Sequence, residues 1–341
     1  MTDILSRLPG VLLPWYDAGH RDLPWRQDRE PYHIWLSEIM LQQTRVEAVK
    51  GYYARFLAAL PTAAHLANAD DEMLLKLWEG LGYYSRVRNL KKAAQVIQSE
   101  YGGIFPKEHK AVLALPGIGD YTAGAICSIA FGQPTPAVDG NVLRVISRLQ
   151  ANATPIDLPA RKKEVQALLA AIYPSRAGDF TQALMELGAT ICGPNRAPDC
   201  EKCPCGHFCR GYQTGVAAQL PLKTPKKGRR IEEKTVFVLS CDGKYALCKR
   251  PEKGLLAGLW QFPEVAGILE LSQAIQALDV PVKEVYWQVE KNHIFTHIEW
   301  KMRGYYLEVP QQDGRFTWLT AEQITADTAL PTAYRQFWEV I

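Results

Sequence analysis

A switch in residue periodicity near residue 230 constrains this 341-residue chain more than any other feature. Up to about residue 190, apolar side chains recur at helical spacing, as in Ile34-Trp35-Ile39-Leu41-Val46, Met73-Leu74-Leu77-Trp78 and Val165-Leu168-Leu169-Ile172. Pro24, Pro31, Pro61, Gly80, Gly82, Gly102, Gly103, Pro116, Pro134, Pro136 and Pro159 punctuate these segments, and no β-alternation of useful length interrupts them. Later, Thr235–Leu239 and Tyr245–Cys248 flank Asp242-Gly243, a strong hairpin signal. Further β-rich runs stand at Val285–Val289, His293–His297 and Tyr305–Val309, with helical pieces at about 270–278 and 332–340. Helices bury a stripe with a 3.6-residue period and strands bury alternate residues, so the two textures predict separate cores. The length agrees, because single cores cluster at about 100–150 residues. The expectation is a multidomain chain: an all-α region over 1–216, a linker over 217–232 and an α+β domain over 233–341. Pro221, Lys223, Pro225, Lys226, Lys227, Arg229 and Arg230 give the linker the composition of an exposed connector.

Net charge is +3, made of +2 over residues 1–216 (23 Lys/Arg against 21 Asp/Glu) and +1 over the rest (16 against 15). Bulk charge therefore neither demands nor forbids a nucleic-acid partner, since a local stripe matters more than a total. Hydrophobic content of 47% with 22% charged residues excludes wholesale disorder. No apolar run approaches the roughly 18 residues of a membrane span. Pro14 cuts the Val11-Leu12-Leu13 run and no basic leader precedes it, so a soluble, intracellular chain without a signal peptide is expected. Cys192, Cys200, Cys203, Cys205 and Cys209 crowd together, whereas Cys127, Cys241 and Cys248 are scattered. Such a cluster reads as a metal site before it reads as disulfides. Its spacing alone leaves tetrahedral zinc and an iron–sulfur cluster both open.

Two carboxylates and a glycine turn carry the chemistry. In Leu115-Pro116-Gly117-Ile118-Gly119-Asp120-Tyr121, the glycines let the chain turn tightly and bring backbone N–H groups against a ligand, with a helix N-terminus behind them that favours an anion. A plain helix–turn–helix connector would show the same Gly-x-Gly. Asp139 precedes Gly140-Asn141-Val142-Leu143-Arg144-Val145 and reads as a helix N-cap, a place that keeps a carboxylate ionised. Glu38 lies among Ile34, Met40 and Leu41 on a helix, where burial would raise its pKa. Taken alone, it would also fit a surface glutamate on an amphipathic face.

With its flanks, the glycine turn resembles the helix-hairpin-helix of the DNA glycosylase superfamily that also contains endonuclease III. Trp35-Leu36-Ser37-Glu38-Ile39-Met40-Leu41-Gln42-Gln43-Thr44 and Gly80-Leu81-Gly82-Tyr83-Tyr84-Ser85-Arg86 resemble the signatures of the MutY family of adenine DNA glycosylases. The resemblance runs from Leu23-Pro24-Trp25-Arg26 into the C-terminal domain. It implies an all-α helix-hairpin-helix glycosylase core (hairpin about 111–130) with an iron–sulfur cluster loop at 192–209, joined to an α+β Nudix-like domain that recognises 8-oxoguanine. The implied reaction is excision of adenine mispaired with 8-oxoguanine or guanine, in base excision repair. By it, Glu38 is the general acid, Asp139 steadies the cationic sugar, and Tyr121 and Asn141 support that residue. Gln43 and Tyr83 wedge the duplex, Thr44 and Leu81 lie near the oxidised guanine, and Arg26 and Gln182 border the adenine pocket. Leu41, Gly117 and Gly119 join the DNA-binding set. Bifunctional relatives place a Lys where this chain has Tyr121, so a monofunctional glycosylase is implied.

By the same resemblance, Cys192, Cys200, Cys203 and Cys209 hold a [4Fe-4S] cluster, with one residue more in the first loop than the family's pattern and Cys205 to spare. The loop would present Arg196, Lys202 and Arg210 toward phosphate. Gly254-Leu255-Leu256-Ala257-Gly258-Leu259-Trp260-Gln261-Phe262-Pro263 matches the Nudix-like glycine segment, but residues 264–282 lack the Arg-Glu-x-x-Glu-Glu pattern that binds Mg²⁺, so binding and not hydrolysis is expected of this domain. Phe295-Thr296-His297 matches the family's Phe-Ser-His lesion-reading loop, and Thr keeps the hydroxyl. The implied partner is double-stranded DNA carrying the mispair, with no membrane, met by a monomer in a cytoplasmic, nucleoid-associated, bacterial-type setting. Two rival readings stand beside it: an endonuclease III-like glycosylase/lyase for oxidised pyrimidines, opposed by Tyr121 and the C-terminal domain, and a non-catalytic lesion binder, opposed by the presence of both Glu38 and Asp139.

Overall fold

The computed structural model describes residues 2–194, 197–225 and 228–341; Arg196, Lys226 and Lys227 lie outside them. The chain divides into two compact units, Met1–Asn68 with Arg88–Pro225, and Ala69–Val87 with Lys226–Ile341. Among the described residues, no helix is long and apolar enough to cross a membrane.

The first unit is helical, as the periodicity predicts. Three of its helices are enclosed almost all round. Pro31–Leu41 starts with Pro at its first turn and buries Tyr32, Ile34 to Met40 without a break. Asp120–Ile129 buries Thr122 to Ile129, and Gly140–Gln150 buries Val142 to Leu149. A core of Leu5, Leu8, Leu12, Val142, Val145, Ile146, Leu149, Phe180, Leu184 and Leu187 joins the N-terminal helix Leu8–Gly19 to helices Gly140–Gln150 and Ala177–Thr190, and Cys205 and Cys209 belong to it. Gly124 decides how the middle helix sits: a Cβ there would come within 2.3 Å of the Pro136 carbonyl oxygen. Only glycine lets the helix approach segment 134–138, which delivers Asp139.

The second unit is a seven-stranded sheet with helices, formed by β1 (Arg230–Cys241), β2 (Lys244–Lys249), β3 (Trp260–Gln261), β4 (Glu264–Ala266), β5 (Glu284–Ile294), β6 (Ile298–Glu308) and β7 (Thr317–Thr320). The strand order is β3-β2-β1-β6-β5, with β4 on β1 and β7 on β2. β1 runs parallel to β6 and antiparallel to β2. Asp242 (φ +49°) and Gly243 (φ +72°) close the β1–β2 turn in the left-handed region, as the Asp-Gly pair predicts. One side of the sheet packs Val236, Val238, Trp300 and Met302 against Tyr334 and Phe337, and the other packs Phe237, Leu239, Tyr305 and Leu307 against Leu278.

Three features differ from the sequence expectation. Val285–Val289 and His293 belong to one strand, β5, and Phe295-Thr296-His297 is the turn into β6, closed by Phe295 N–H donating to the Ile298 carbonyl at 2.8 Å. The exposed linker is tied down at its start: Leu220 is buried, its carbonyl accepts from Arg148 Nε at 2.8 Å, and Ile156 N–H donates to the Leu222 carbonyl at 3.0 Å. Arg230 to Glu232 already lie in β1. Finally, Ala69–Val87 groups with the C-terminal unit and not with the helical region that surrounds it in sequence.

Candidate active site

The three enclosed helices converge on one cavity of about 670 Å³, a volume suited to a nucleotide-sized ligand. Arg26, Glu38, Leu41, Gln43, Thr44, Gly119, Tyr121, Asp139, Asn141 and Gln182 all line it, so ten of the sequence-predicted residues meet at one site. Glu38 is 5% exposed, because its helix is buried on every side. Burial pushes its carboxyl up to about 7, and the charge of Asp139 adds to the rise. The Tyr121 hydroxyl, donating to Glu38 Oε2 at 2.6 Å, and the Arg26 guanidinium pull the other way. Buried between two acids, the Tyr121 phenol is itself pushed far up and remains a proton donor.

Asp139 caps the helix Gly140–Gln150, with Oδ1 accepting from Val142 N–H at 2.8 Å and Oδ2 from Asn141 Nδ2 at 2.6 Å. Burial raises this carboxyl, and the two amides and the Arg144 charge oppose the rise. Both Asp139 oxygens accept from amides, while Glu38 accepts one phenol, so the hydrogen bonding favours a proton on Glu38 over one on Asp139. Arg144 Nη2 donates to Asn141 Oδ1 at 3.1 Å and to the Gly188 carbonyl at 2.8 Å, and its Nε reaches the Cys192 carbonyl at 2.9 Å. Asn141 is thereby fixed from both ends.

The opposite wall was only partly legible. Glu186 is 2% exposed and accepts from Arg21 Nε at 2.8 Å, Arg21 Nη2 at 3.0 Å and Arg26 Nη2 at 2.8 Å, which places the Arg26 head in the cavity wall. Glu186 stands four residues after Gln182 in Ala177–Thr190, a spacing that puts both on one helix face, and that was the available signal. Leu23 and Trp25, named only as part of the motif that opens the resemblance, and Met185 also line the cavity.

The hairpin forms as expected. Helix His109–Ala114 ends, Gly117 takes φ +77°, and helix Asp120–Ile129 starts with Gly119 as its N-cap. A Cβ on Gly117 would meet Asn89 Cβ at 2.6 Å, whereas Gly119 faces open space. The remaining predicted residues lie in the other unit. Leu81 is buried there, Tyr83 is 47% exposed with φ +47°, and the Tyr83 hydroxyl shares a 2.9 Å hydrogen bond with Thr296 Oγ1. Thr296 and His297 are exposed and Phe295 stacks edge-on against Trp300 at 4.8 Å.

Cys192, Cys200, Cys203 and Cys209 line one small apolar cavity, and all are free thiols. Cys205 is fully buried in the neighbouring core and does not line it. Among the described residues, no three His, Cys, Asp or Glu side chains are grouped as around a single metal ion. The four thiols around one cavity form a cysteine-only donor set of the kind that holds zinc or an iron–sulfur cluster. Arg148 Nη1 donates to Cys192 Sγ at 3.2 Å and to the Cys192 and Gly193 carbonyls at 3.1 and 3.0 Å, a donor set suited to a thiolate. Lys202 pairs with Asp199 at 3.2 Å, and Arg210 is exposed.

Residues 36–174 match the HhH-GPD superfamily of base excision DNA repair proteins, and residues 235–340 match the NUDIX domain. The adenine DNA glycosylase of Homo sapiens is 36% identical over 401 residues, covering 97% of this chain and 73% of that protein. The chain belongs to the adenine DNA glycosylase family. The Arabidopsis thaliana enzyme is 38% identical, over 85% of this chain, which spans about 55% of that relative's length. Among solved structures, a thermostable thymine-DNA glycosylase superposes on 62% of this chain and 97% of its own with a TM-score of 0.56 at 31% identity. Membership fits the split seen here: the glycosylase core provides the cavity with Glu38, Tyr121 and Asp139, and the Nudix-like unit carries the Phe295–His297 turn.

Proposed function

We propose that the protein removes adenine mispaired with 8-oxoguanine or guanine in double-stranded DNA, as a monofunctional N-glycosylase. The observation that carries this reading is the Glu38–Tyr121–Asp139 arrangement: an acid raised to about 7 beside an amide-bound carboxylate in a base-sized cavity. Adenine is a poor leaving group as an anion. Glu38, protonated near neutrality, gives its proton to a ring nitrogen while the C–N bond stretches, and Tyr121 holds the acid's other oxygen in place. Positive charge then develops on the deoxyribose, and Asp139, held by Val142 and Asn141, stabilises it electrostatically. Water completes the displacement. The buried Arg21–Glu186–Arg26 group and Gln182 give the cavity fixed polar partners for the base.

Reaching the cavity requires the adenine to leave the stack. Gln43 (φ +59°) and Tyr83 (φ +47°) are non-glycine residues in the left-handed region, a strained conformation that holds side chains out for such a task. Gly117 and Gly119 open their backbone N–H groups to a DNA phosphate. Thr296 on its turn reads the base opposite adenine. A [4Fe-4S] cluster held by Cys192, Cys200, Cys203 and Cys209 would order the loop that fixes Arg144 and Arg148, and through Arg144 the Asn141–Asp139 pair. The test is single-turnover excision from duplexes with 8-oxoguanine:adenine, guanine:adenine and thymine glycol. Adenine release from the first two supports the reading. Release of thymine glycol with strand cleavage and no adenine release would replace it with the endonuclease III-like one.

A further inference from the structure

We propose that Glu79 is the positioning residue that sets lesion discrimination, by fixing the Tyr83 loop at a constant distance from the Thr296 turn. The proposal rests on the reading of Thr296 as the lesion contact. Glu79 directly precedes Gly80-Leu81-Gly82-Tyr83. It stands in the turn after helix Asp71–Leu77, and its carboxylate reaches beyond that helix. Oε1 accepts from the Leu330 backbone N–H at 2.9 Å and from the Arg335 guanidinium, and Oε2 pairs with Lys76 Nζ at 2.8 Å. Lys76 Nζ also donates to the Thr328 carbonyl at 3.0 Å. Residues 328–335, more than 250 positions away in sequence, are thus tied to the turn before Tyr83 by one carboxylate that is only 10% exposed and by the Lys76 ammonium paired with it.

The loop beyond Glu79 is braced on its own side. Trp78, fully buried, donates from Nε1 to the Gly82 carbonyl at 3.1 Å, and Arg86 Nη2 holds the Leu81 and Gly82 carbonyls at 3.0 and 3.2 Å. The Arg86 head also lies over the Trp78 and Tyr83 rings, 5.2 and 5.6 Å from their centroids. A rigid loop needs an external reference if its tip is to sit at a defined place, and Glu79 provides it. At the tip, the exposed Tyr83 ring ends in the 2.9 Å contact with Thr296. The wedge and the lesion reader are therefore joined twice, once at their tips through two exposed hydroxyls, and once through the Glu79–Arg335 ion pair, whose helix packs Tyr334 against Trp300 at 5.8 Å and so reaches Phe295, 4.8 Å from Trp300. The tip contact is open to exchange with a DNA base. The ion pair is not, and it keeps the spacing while the tip engages.

Single-turnover excision by the full chain tests this, with 8-oxoguanine:adenine and guanine:adenine duplexes for wild type, Glu79→Gln, Arg335→Ala, Thr296→Ala and the Glu79→Gln/Thr296→Ala pair. Glu79→Gln and Arg335→Ala should each cut the preference for the oxidised mispair about tenfold while the guanine:adenine rate holds, and Glu79→Gln should add nothing once Thr296 is gone. Melting curves confirm that each variant is folded. Folded Glu79 and Arg335 variants that keep the full preference, while Thr296→Ala loses it, would overturn the proposal alone. An equal fall on both duplexes would reduce Glu79 to a merely structural role and overturn it too. A wild type without preference would instead sink the lesion reading on which it stands.

Discussion

Replacing Glu38 by Gln should abolish excision and stabilise the protein at the same time, and the two effects should separate by pH. The wild-type carboxyl rises from an ordinary 4.5 to about 7 on folding, so the folded state disfavours its ionised form. At about 1.4 kcal/mol per pKa unit, that is a penalty of about 3 kcal/mol once the group is ionised in both states. The sign follows from the folded value lying above the unfolded one. Stability from this group is complete below pH 4.5, declines as the unfolded chain ionises, and has been lost once pH passes about 7. Gln cannot ionise, yet its amide oxygen can accept from Tyr121 as Glu38 does. Denaturant titration should therefore give nearly equal stabilities at about pH 4, and a variant more stable by about 3 kcal/mol at about pH 8. Excision by the wild type should fall above pH 7 as Glu38 loses its proton, and the variant should excise nothing measurable at any pH. A stability difference that is the same at both pH values would show that Glu38 is not held protonated. Excision by the variant within tenfold of wild type, about 1.4 kcal/mol of barrier, would remove it as the essential acid.

Tyr121→Lys should create a borohydride-trappable adduct with DNA, because an amine would replace the phenol 2.6 Å from Glu38; an adduct already formed by the wild type would overturn the monofunctional reading. Gly124→Ala should destabilise by about 1–3 kcal/mol and slow excision, since its Cβ would fall 2.3 Å from the Pro136 carbonyl and push the segment that places Asp139. Unchanged melting and excision would show that this approach does not set the carboxylate's position.

Local signals and resemblance named ten of the residues that line the cavity. Asp139 could be read as an N-cap because capping is decided within three residues, and the cap is present. The Asp242-Gly243 turn followed from its need for positive φ. Glu38 was harder, since its burial depends on a helix enclosed on every face, and the mixed run Ile34–Met40 does not announce that. Glu186 and Arg144 were missed for the same reason. Each is a charged residue whose partners lie 160 and 44 residues away, in Arg26 and Gly188, and no local pattern encodes such a pairing. In the C-terminal unit, the parallel pairing of β1 with β6 and the turn at Phe295–His297 are long-range outcomes of register, invisible to alternation alone.

The grouping of Ala69–Val87 with the C-terminal unit changes what a truncation should do. Glu38, Tyr121 and Asp139, the proposed catalytic trio, lie before residue 225, so from the sequence a chain ending there should still excise adenine and lose only the proposed Thr296 contact, worth about 1–3 kcal/mol of discrimination. The structure removes more. Without residues 226–341, Glu79 loses Leu330 and Arg335, Lys76 loses Thr328, and Glu72 loses Trp260 Nε1 at 3.2 Å and Lys249. The Tyr83 loop would then keep its Trp78 and Arg86 braces but no reference for its tip. Truncation should therefore reduce discrimination by more than Thr296→Ala does, and, unlike Glu79→Gln, should also weaken binding of an undamaged guanine:adenine duplex, because it removes the Lys76 and Glu72 anchors of segment 69–87 together with those of Glu79. Binding and single-turnover excision of both duplexes, measured for the truncated chain and for Thr296→Ala, separate the contributions. If the truncated chain and Thr296→Ala lose the same discrimination and bind guanine:adenine equally, then segment 69–87 stands without its partners. The lesion contact would then be all that the C-terminal unit provides.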